Sequence, residues 1–505
     1  MKLFPKRTEE DVRYQGNAVV RMLSYLRPHM AAMAACLVLV LAITALELYK
    51  PILTGDAIDR FIDGGYAPGE AVEERFMGIL TAAGKYVAVL ALLFVCNRVQ
   101  FLLLQRTGQE IVYTMRRQLF EHIESLSMRF FDLTPVGKIV TRVTNDVEAV
   151  HELYANILVK LFKNVVKIIG LAAVMLLLDV RMALLSFVMV PAVTVLTAVF
   201  RTLSRRAYQV SKTKLTEVNT FLSENLSGMK VIQIFNREKE KLDAFRVRSG
   251  ELHQAFRRET LVGAVFRPVI VMCSVAAMAI VIAAGSQGVL AGTVSFGTMY
   301  IFLQYIKTFF EPIQDLAEQL STLQSAVASA EKIFTLLDEE PQIRDPAEPR
   351  SPAEIRGRIE FKNVWFAYDG ENYILRDVSF VIEPGQKVAF VGATGAGKSS
   401  ILNLIGRYYD VQRGEILIDG VNVRDMTRDQ IRSAIGQVQQ DVFLFTGDIK
   451  SNIRLRSETI TEEDVVRAAR RVNAGRFIEK LPAGYDERVT ERGSTFSAGQ
   501  RQLLS

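Results

Sequence analysis

The sequence predicts a multidomain protein in which an all-α membrane domain of six helices precedes an α/β domain. The first observation is a set of six apolar runs, each close to the roughly 20 residues of helix that cross a bilayer. The second is a change of composition at 339–357, where four prolines and many charges are typical of a linker. The third is the strand-like segment IEFKNVWFAY, followed by a glycine-rich loop that leads into a helical run.

Composition agrees with two parts of different character. Half of the 505 residues are hydrophobic and 23% are charged, which fits neither a uniformly membrane-buried chain nor a uniformly soluble one. The three cysteines, Cys36, Cys96 and Cys273, lie in apolar stretches, which favours buried apolar side chains over a disulfide or a metal site. No apolar core precedes residue 30, so we expect no cleavable signal peptide.

The predicted membrane helices account for the six apolar runs. Buried helices of a soluble protein are the alternative, which six such runs disfavour. The runs lie at 30–50, 79–104, 157–178, 182–200, 261–284 and 289–310.

The distribution of lysine and arginine predicts the orientation. Residues 1–29 contain six of these cations, 105–150 contain six and 201–260 contain thirteen, against two in 53–77 and none in 285–297. Positive connections stay in the cytoplasm, so both ends of the chain are expected there. This placement also explains the net charge of +6 without nucleic acid. The connections 105–156 and 201–260 have helical, polar patterns, as if membrane helices continued into the cytosol.

Charges inside the apolar runs have two interpretations. Lys160, Lys163 and Lys167 recur at helical spacing and share roughly one face. They either line an aqueous cavity for an anionic or amphipathic substrate or extend towards the cytoplasmic interface. Further cavity candidates are Glu47, Arg98, Arg267 and Lys307.

The glycine-rich loop GATGAGKS at 392–399 is a complete phosphate-binding P-loop. We expect a strand at Lys387–Val391 before it and a helix over SSILNLIGRYY after it. Glycines let backbone N–H groups turn towards phosphate, and the helix N-terminus adds its dipole. Lys398 would contact the β- and γ-phosphates and Ser399 would bind Mg²⁺. The expected ATP contacts here are Gly392, Thr394, Gly395, Gly397, Lys398, Ser399 and Ser400.

A P-loop alone does not separate kinases, GTPases and other ATPases, but a second motif does. The segment FSAGQRQ at 496–502 resembles the signature LSGGQ of ABC transporters, and it follows the P-loop at the family's separation. Tyr368 matches the aromatic residue that stacks on adenine, and Gln440 matches the glutamine that approaches Mg²⁺ and the attacking water. VTERG at 489–493 resembles the X-loop of exporters, with Glu491 as its contact to the membrane domain; a solvated charged turn is the alternative.

The membrane half resembles the same exporters in RFFDLTPVGKIVTRVTNDVEAV and NLSGMKVIQIFNRE, which implies short coupling helices near 133–141 and 225–232. The resemblance implies an ABC exporter half-transporter in the plasma membrane, working as a homodimer or heterodimer by alternating access. ATP and Mg²⁺ would bind between the P-loop of one subunit and the signature of the other. Ser497, Gly499 and Gln500 would contact ATP from the partner, while Lys398 and Gln440 would be catalytic and Ser399 and Gln440 would hold the metal.

The substrate implied is amphipathic, either drug-like or lipid-like. A dedicated lipid or peptide exporter and a non-transporting channel or regulator are alternatives, whereas six apolar runs disfavour a soluble ABC ATPase. Phe496 and Ala498 depart from the usual signature and leave an asymmetric heterodimer open. The sequence reaches Ser505 before any Walker B carboxylates, so it is expected to be truncated, and residues 1–505 alone are expected to lack ATPase activity. The implied domains are 1–29 (cytoplasmic segment), 30–325 (membrane), 326–357 (linker) and 358–505 (nucleotide-binding).

Overall fold

A computed structural model describes residues 17–62, 72–352, 354–439, 442–455, 457 and 459–505, without the side chains of Arg267, Ala317, Glu318, Leu320 and Ser321. The chain forms two compact units. The helical unit contains the described residues up to 126 and residues 133–340, and the C-terminal unit contains 127–132 and 341 to 505.

Some of the helices up to residue 337 begin where a side chain satisfies a free backbone N–H group. Asn17 caps the first helix, and Asp179 accepts a hydrogen bond from Met182 N at 2.8 Å. In chain order these helices are α1 Ala18–Ser24, α2 Met30–Ala57, α3 Val72–Ser125, α4 Met128–Leu133, α5 Val136–Thr141, α6 Val147–Glu152, α7 Leu158–Leu178, α8 Val180–Phe187, α9 Val190–Ser227, α10 Met229–Ile234, α11 Glu238–Leu290, α12 Phe296–Phe309 and α13 Glu311–Leu337.

Five helical stretches in the described residues are long and apolar enough to cross a membrane: Arg27–Ile62, Val72–Ser125, Val136–Leu178, Val180–Ser227 and Glu238–Leu290. The prediction of one helix over 289–310 is wrong, because α11 ends at Leu290 and α12 has only 14 residues. Gly292, with φ of 71°, breaks the helix, and the Ser295 side chain caps the next one. The count of six membrane helices therefore stays a prediction.

The predicted helical extensions are confirmed. Helix α3 has 54 residues and α11 has 53. At about 1.5 Å per residue each is roughly 80 Å long, well beyond the roughly 30 Å of a hydrocarbon core. Short helices also lie near both expected coupling segments, at α5 and α10.

Helix α12 lies in the centre of the helical unit. Phe302, Tyr305 and Ile306 are almost fully buried there, and Tyr305 Oη donates to the Leu48 carbonyl of α2 at 2.6 Å. The two helices approach so closely that a Cβ atom added at Gly297 would lie 2.2 Å from the Gly55 carbonyl oxygen. Small residues allow such contacts between membrane helices.

We expect Gly297→Ala to destabilise the helical unit, because the atom nearest to the added methyl group is a backbone oxygen, which cannot rotate away as a side chain can. The loss should be about 1–3 kcal/mol, the range for overpacked sites. Thermal unfolding of the purified protein in detergent measures it. Gly263→Ala is the matched control, since a Cβ atom there meets nothing within 4 Å. Equal melting temperatures for both variants would contradict the close approach.

The C-terminal unit is α/β, as predicted. Its main sheet has the order β2-β1-β3-β4 with antiparallel neighbours, and Phe361 of β1 pairs with Phe380 and Ile416. Its elements after the linker are β1 Ile359–Phe366, β2 Leu375–Ile382, α14 Lys398–Ile405, β3 Arg413–Ile418, β4 Val421–Asn422, α15 Arg428–Ser433, β5 Gly447–Asp448, α16 Ile449–Ile453, α17 Glu462–Arg471, α18 Gly475–Ile478, β6 Arg488–Val489 and α19 Ala498–Leu504.

The strand predicted at Lys387–Val391 is absent, and this prediction is wrong. The segment has no regular secondary structure and no ladder partner among the strands of the described residues. Val388 and Val391 are 44% and 94% exposed. A β-rich run becomes a strand only when a neighbour accepts its hydrogen bonds.

Candidate functional site

The P-loop leads directly into α14. Gly395 and Gly397 both have φ of 89°, a conformation that glycine adopts without strain. Gly397 also has no room for a side chain, since an added Cβ atom would lie 2.7 Å from Leu375 Cδ2. The predicted helix is confirmed over Lys398–Ile405, but it ends before the predicted GRYY at 406–409. The loop thus presents its backbone, rather than side chains, at the start of a helix.

The Lys398 side chain folds back over the loop. Its Nζ donates to the carbonyl oxygens of Gly392 at 2.8 Å and Ala393 at 2.9 Å. The ammonium therefore bonds to neutral carbonyl oxygens at the exposed loop. Phosphate oxygens can replace these carbonyls, because a hydrogen bond between two charged groups is stronger. Thr394 and Ser399 are exposed beside it.

Tyr368 reaches the same helix. Its hydroxyl lies 3.0 Å from Ser400 Oγ, two residues beyond Lys398. The ring meets Phe366 edge-on at 4.7 Å and Tyr409 edge-on at 4.9 Å. These contacts fix the ring position and leave it half-buried. The structure thus places Tyr368 next to the P-loop helix. A residue that stacks on a nucleotide base bound there has to lie close to this helix.

Tyr409 contacts the first cytoplasmic connection, and no motif in the sequence indicates this contact. Tyr409 Oη donates to the carboxylate of Asp132, which lies in α4 and belongs to the C-terminal unit. Burial, and then the nearby Asp132 carboxylate, raises the pKa of Tyr409 well above its ordinary value. The phenol stays protonated and keeps donating. No local pattern signals this pair, because 277 residues separate its members.

The signature segment caps α19. Ser497 Oγ accepts from Gln500 N at 3.2 Å, and Gln500 Oε1 accepts from Ser497 N at 2.8 Å. Phe496 is only 7% exposed and packs with Leu444 and Leu504, so the first signature position is an apolar core position that phenylalanine fills.

The other departure, Ala498, is exposed at the first position of α19. Gly499 also faces open space, because an added Cβ atom would meet nothing within 4 Å. Among the hydrogen bonds of the described residues, none joins this segment to the P-loop. The two motifs are thus separately formed within one chain.

Two predicted contacts stay predictions. Gln440 lies outside the described residues, so its catalytic and metal roles are not placed. Glu491 is exposed in a turn where Arg492 and Gly493 have φ of 57° and 62°.

No group of three or more His, Cys, Asp or Glu residues in the described ranges can hold a metal ion. The Ser399 hydroxyl is an oxygen donor of the kind that Mg²⁺ accepts together with nucleotide phosphates.

Two of the three lysines of α7 form ion pairs within the helical unit. Lys163 Nζ lies 3.0 Å and Lys167 Nζ 3.7 Å from the Glu47 carboxylate of α2. Lys160 is exposed, as are Arg98 and Lys307, and the Arg267 side chain is outside the described part of the chain. Of the predicted cavity residues, the structure thus brings together only Glu47, Lys163 and Lys167.

Comparison with known families covers both units. Residues 33–313 match the ABC transporter transmembrane region, and residues 375–505 match the ABC transporter domain. The ABC transporter ATP-binding protein exp8 of Streptococcus pneumoniae is 36% identical over 494 residues, covering 97% of this chain and 82% of that protein.

Two further relatives bear substrate names. A fatty acid ABC transporter ATP-binding/permease protein of Mycobacterium bovis is 33% identical, covering 87% of this chain and 69% of the relative. An ATP-dependent lipid A-core flippase of Desulfotalea psychrophila is 32% identical, covering 80% and 70%. With an apolar helical unit, an intact P-loop and matches along both parts, the chain belongs to the ABC transporter family and is an exporter with fused membrane and ATPase domains.

Proposed function

We propose that the protein uses ATP hydrolysis to export an amphipathic substrate, drug-like or lipid-like, across the plasma membrane. One observation carries the proposal: an ordered P-loop at the start of α14 lies in the same chain as five helical stretches that can cross a membrane. The names of the fatty acid transporter and the lipid A-core flippase support a lipid-like substrate. Both ends of the chain are proposed to be cytoplasmic, from the distribution of lysine and arginine.

At the nucleotide, each residue has a proposed task. Tyr368 stacks on adenine, and the backbone N–H groups of Gly392, Gly395 and Gly397 face the phosphates. Lys398 leaves its carbonyl partners and neutralises the β- and γ-phosphate oxygens. Bound Mg²⁺ supplies further neutralisation of phosphate charge. Ser399 and Gln440 are the proposed metal contacts, with Thr394 and Ser400 completing the ATP contacts.

The proposed site is completed by a second chain. Ser497, Gly499 and Gln500 form their own capped helix start and have no hydrogen bond to the P-loop among the described residues. We propose that they contact the γ-phosphate of ATP held by the partner subunit. Closure of two such sites would switch the membrane domains between inward and outward access, and hydrolysis would reset them.

Tyr409 is proposed as a positioning residue in this coupling. It contacts Asp132 of α4 on one side and the Tyr368 ring on the other, and Tyr368 contacts Ser400 of the P-loop helix. We expect Tyr409→Phe to lower substrate stimulation of ATPase while basal ATPase and ATP affinity change little, because phenylalanine keeps the ring contact with Tyr368 and loses the hydrogen bond to the Asp132 carboxylate.

A double-mutant cycle tests that expectation. Asp132→Asn should reduce stimulation by a similar factor, and the double variant should lose no more than either single variant. Tyr408→Phe, next to Tyr409, is the matched control. Additive losses would show that the two side chains act independently and would contradict the positioning role.

Transport into inside-out proteoliposomes tests the function itself. ATP should drive accumulation of a labelled amphiphile, and Lys398→Ala should stop it. Accumulation that needs no ATP, or ATP hydrolysis that no amphiphile stimulates, would favour a channel or regulator instead.

A further inference from the structure

A cavity of about 360 Å³ lies within the helical unit, bounded by α2, α3, α7 and α12. Its volume is in the range of sites for small ligands or ligand head groups. Apolar walls come from side chains such as Leu48, Pro51 and Leu171, and polar groups come from Tyr300 and Gln304. The cavity therefore combines surfaces for an apolar chain and for a polar head group.

Charge in this cavity is unbalanced. Glu47 is the single carboxylate in the lining, whereas Lys50 and Lys167 are both cations. The Glu47 carboxylate is shared by Lys163 at 3.0 Å and Lys167 at 3.7 Å, and Glu311 lies 3.6 Å from Lys167. The lining thus has one excess positive charge, and the neighbouring Lys163 and Glu311 offset each other.

Lys50 is the unbalanced cation. It is half-buried, and within the described ranges no carboxylate lies at ion-pair distance from its ammonium. Removing a charge from water without a partner is unfavourable, and ionisable groups inside membrane domains commonly belong to substrate pathways. Lys163 and Lys167 already have carboxylate partners, so Lys50 is the group available to an anionic ligand.

We propose that this cavity binds the anionic head group of a single-chain amphiphile, with Lys50 as the cation that contacts it. The shared ligand chemistry is a carboxylate or a phosphate monoester joined to an alkyl chain. Glu47 binds Lys163 and Lys167 and thereby keeps the cavity from attracting more than one negative charge. The inference rests on the proposed export function only in treating the bound amphiphile as the exported substrate.

Binding of tritiated palmitate to the full-length protein in nanodiscs tests this proposal, measured by scintillation proximity without nucleotide and with empty nanodiscs subtracted. Lys50→Ala should weaken binding about tenfold or more, the effect of losing one charge-assisted bond. Lys50→Glu should weaken it further, and Lys50→Arg should restore most of it. Lys160→Ala, which removes an exposed lysine elsewhere, should bind as the parent does.

Competitors identify the head group. Hexadecyl phosphate should displace palmitate, whereas hexadecanol and hexadecyltrimethylammonium should displace it weakly. Inorganic phosphate should not compete, because binding also requires the alkyl chain. Equal palmitate binding by the parent and Lys50→Ala, or stronger displacement by the cationic amphiphile, would overturn the proposal.

The same samples separate this inference from the proposed function. If ATP drives palmitate uptake but Lys50→Ala changes neither binding nor uptake, the export proposal stands and the role of Lys50 is wrong. If binding depends on Lys50 but ATP drives no uptake, the cavity is a ligand site and the export proposal fails. Lys50→Arg guards against misfolding, because a folded variant that retains the charge should recover binding.

Discussion

Lys398→Ala should abolish ATP hydrolysis by the full-length protein and weaken ATP binding. The ammonium lies at the P-loop, where its hydrogen-bond partners among the described residues are the carbonyl oxygens of Gly392 and Ala393. Neutralising the charge that develops on phosphate commonly accounts for about 100-fold or more of the rate, so hydrolysis should fall at least that far. Lys398→Arg should restore little, since a planar guanidinium does not fit a loop built around a compact ammonium.

Phosphate release and binding of a fluorescent ATP analogue measure the two effects. Lys387→Ala is the matched control, because Lys387 is an exposed lysine that precedes the same loop. It should hydrolyse ATP at the parent rate. ATPase activity of Lys398→Ala within a few-fold of the parent would show that this P-loop is not the hydrolytic site.

Ser497→Arg should have the second largest effect, removing activity from at least one nucleotide site of the dimer. The substitution inserts a long cation where we propose that Ser497 meets the γ-phosphate held by the partner. Loss of the helix cap adds a separate effect of about 1 kcal/mol on stability. Ser497→Ala removes the cap without the bulk, so the difference between the two variants reports the steric effect on ATPase.

Ala468→Arg adds the same charge at an exposed position of α17 and should leave ATPase unchanged. Mixing Ser497→Arg chains with Lys398→Ala chains is a sharper test. In a dimer with composite sites, one of the two sites in the mixed dimer keeps both an intact P-loop and an intact signature. Activity recovered on mixing is therefore expected, and its absence would contradict sites shared between chains.

Local signals made much of the fold and site predictable. The start of α14 at Lys398 depends on the glycines beside it, and the cap of α19 depends on Ser497 and Gln500, which are close in sequence. The break before α12 was also present in the sequence, as Gly292 and Ser295, but the apolar run concealed it. Hydrophobicity alone does not report helix ends.

Long-range contacts were not predictable. Lys163 and Glu47 are 116 residues apart and Tyr409 and Asp132 are 277 apart, so no periodicity relates them. The segment Lys387–Val391 has a β-rich composition, but strand formation depends on a neighbour that composition does not specify. The lack of ATPase expected for residues 1–505 alone stays a prediction, which purified protein of that length tests.

Cross-linking between chains tests the central claim, that ATP is held between the P-loop of one subunit and the signature of another. Cys36, Cys96 and Cys273 are first replaced by alanine. Chains with Ala393→Cys and chains with Ala498→Cys are then mixed and treated with a short bismaleimide. The account predicts a cross-linked dimer that contains one chain of each kind and forms with ATP but not without nucleotide. Uncross-linked chains, or a dimer that forms equally without ATP, would contradict it.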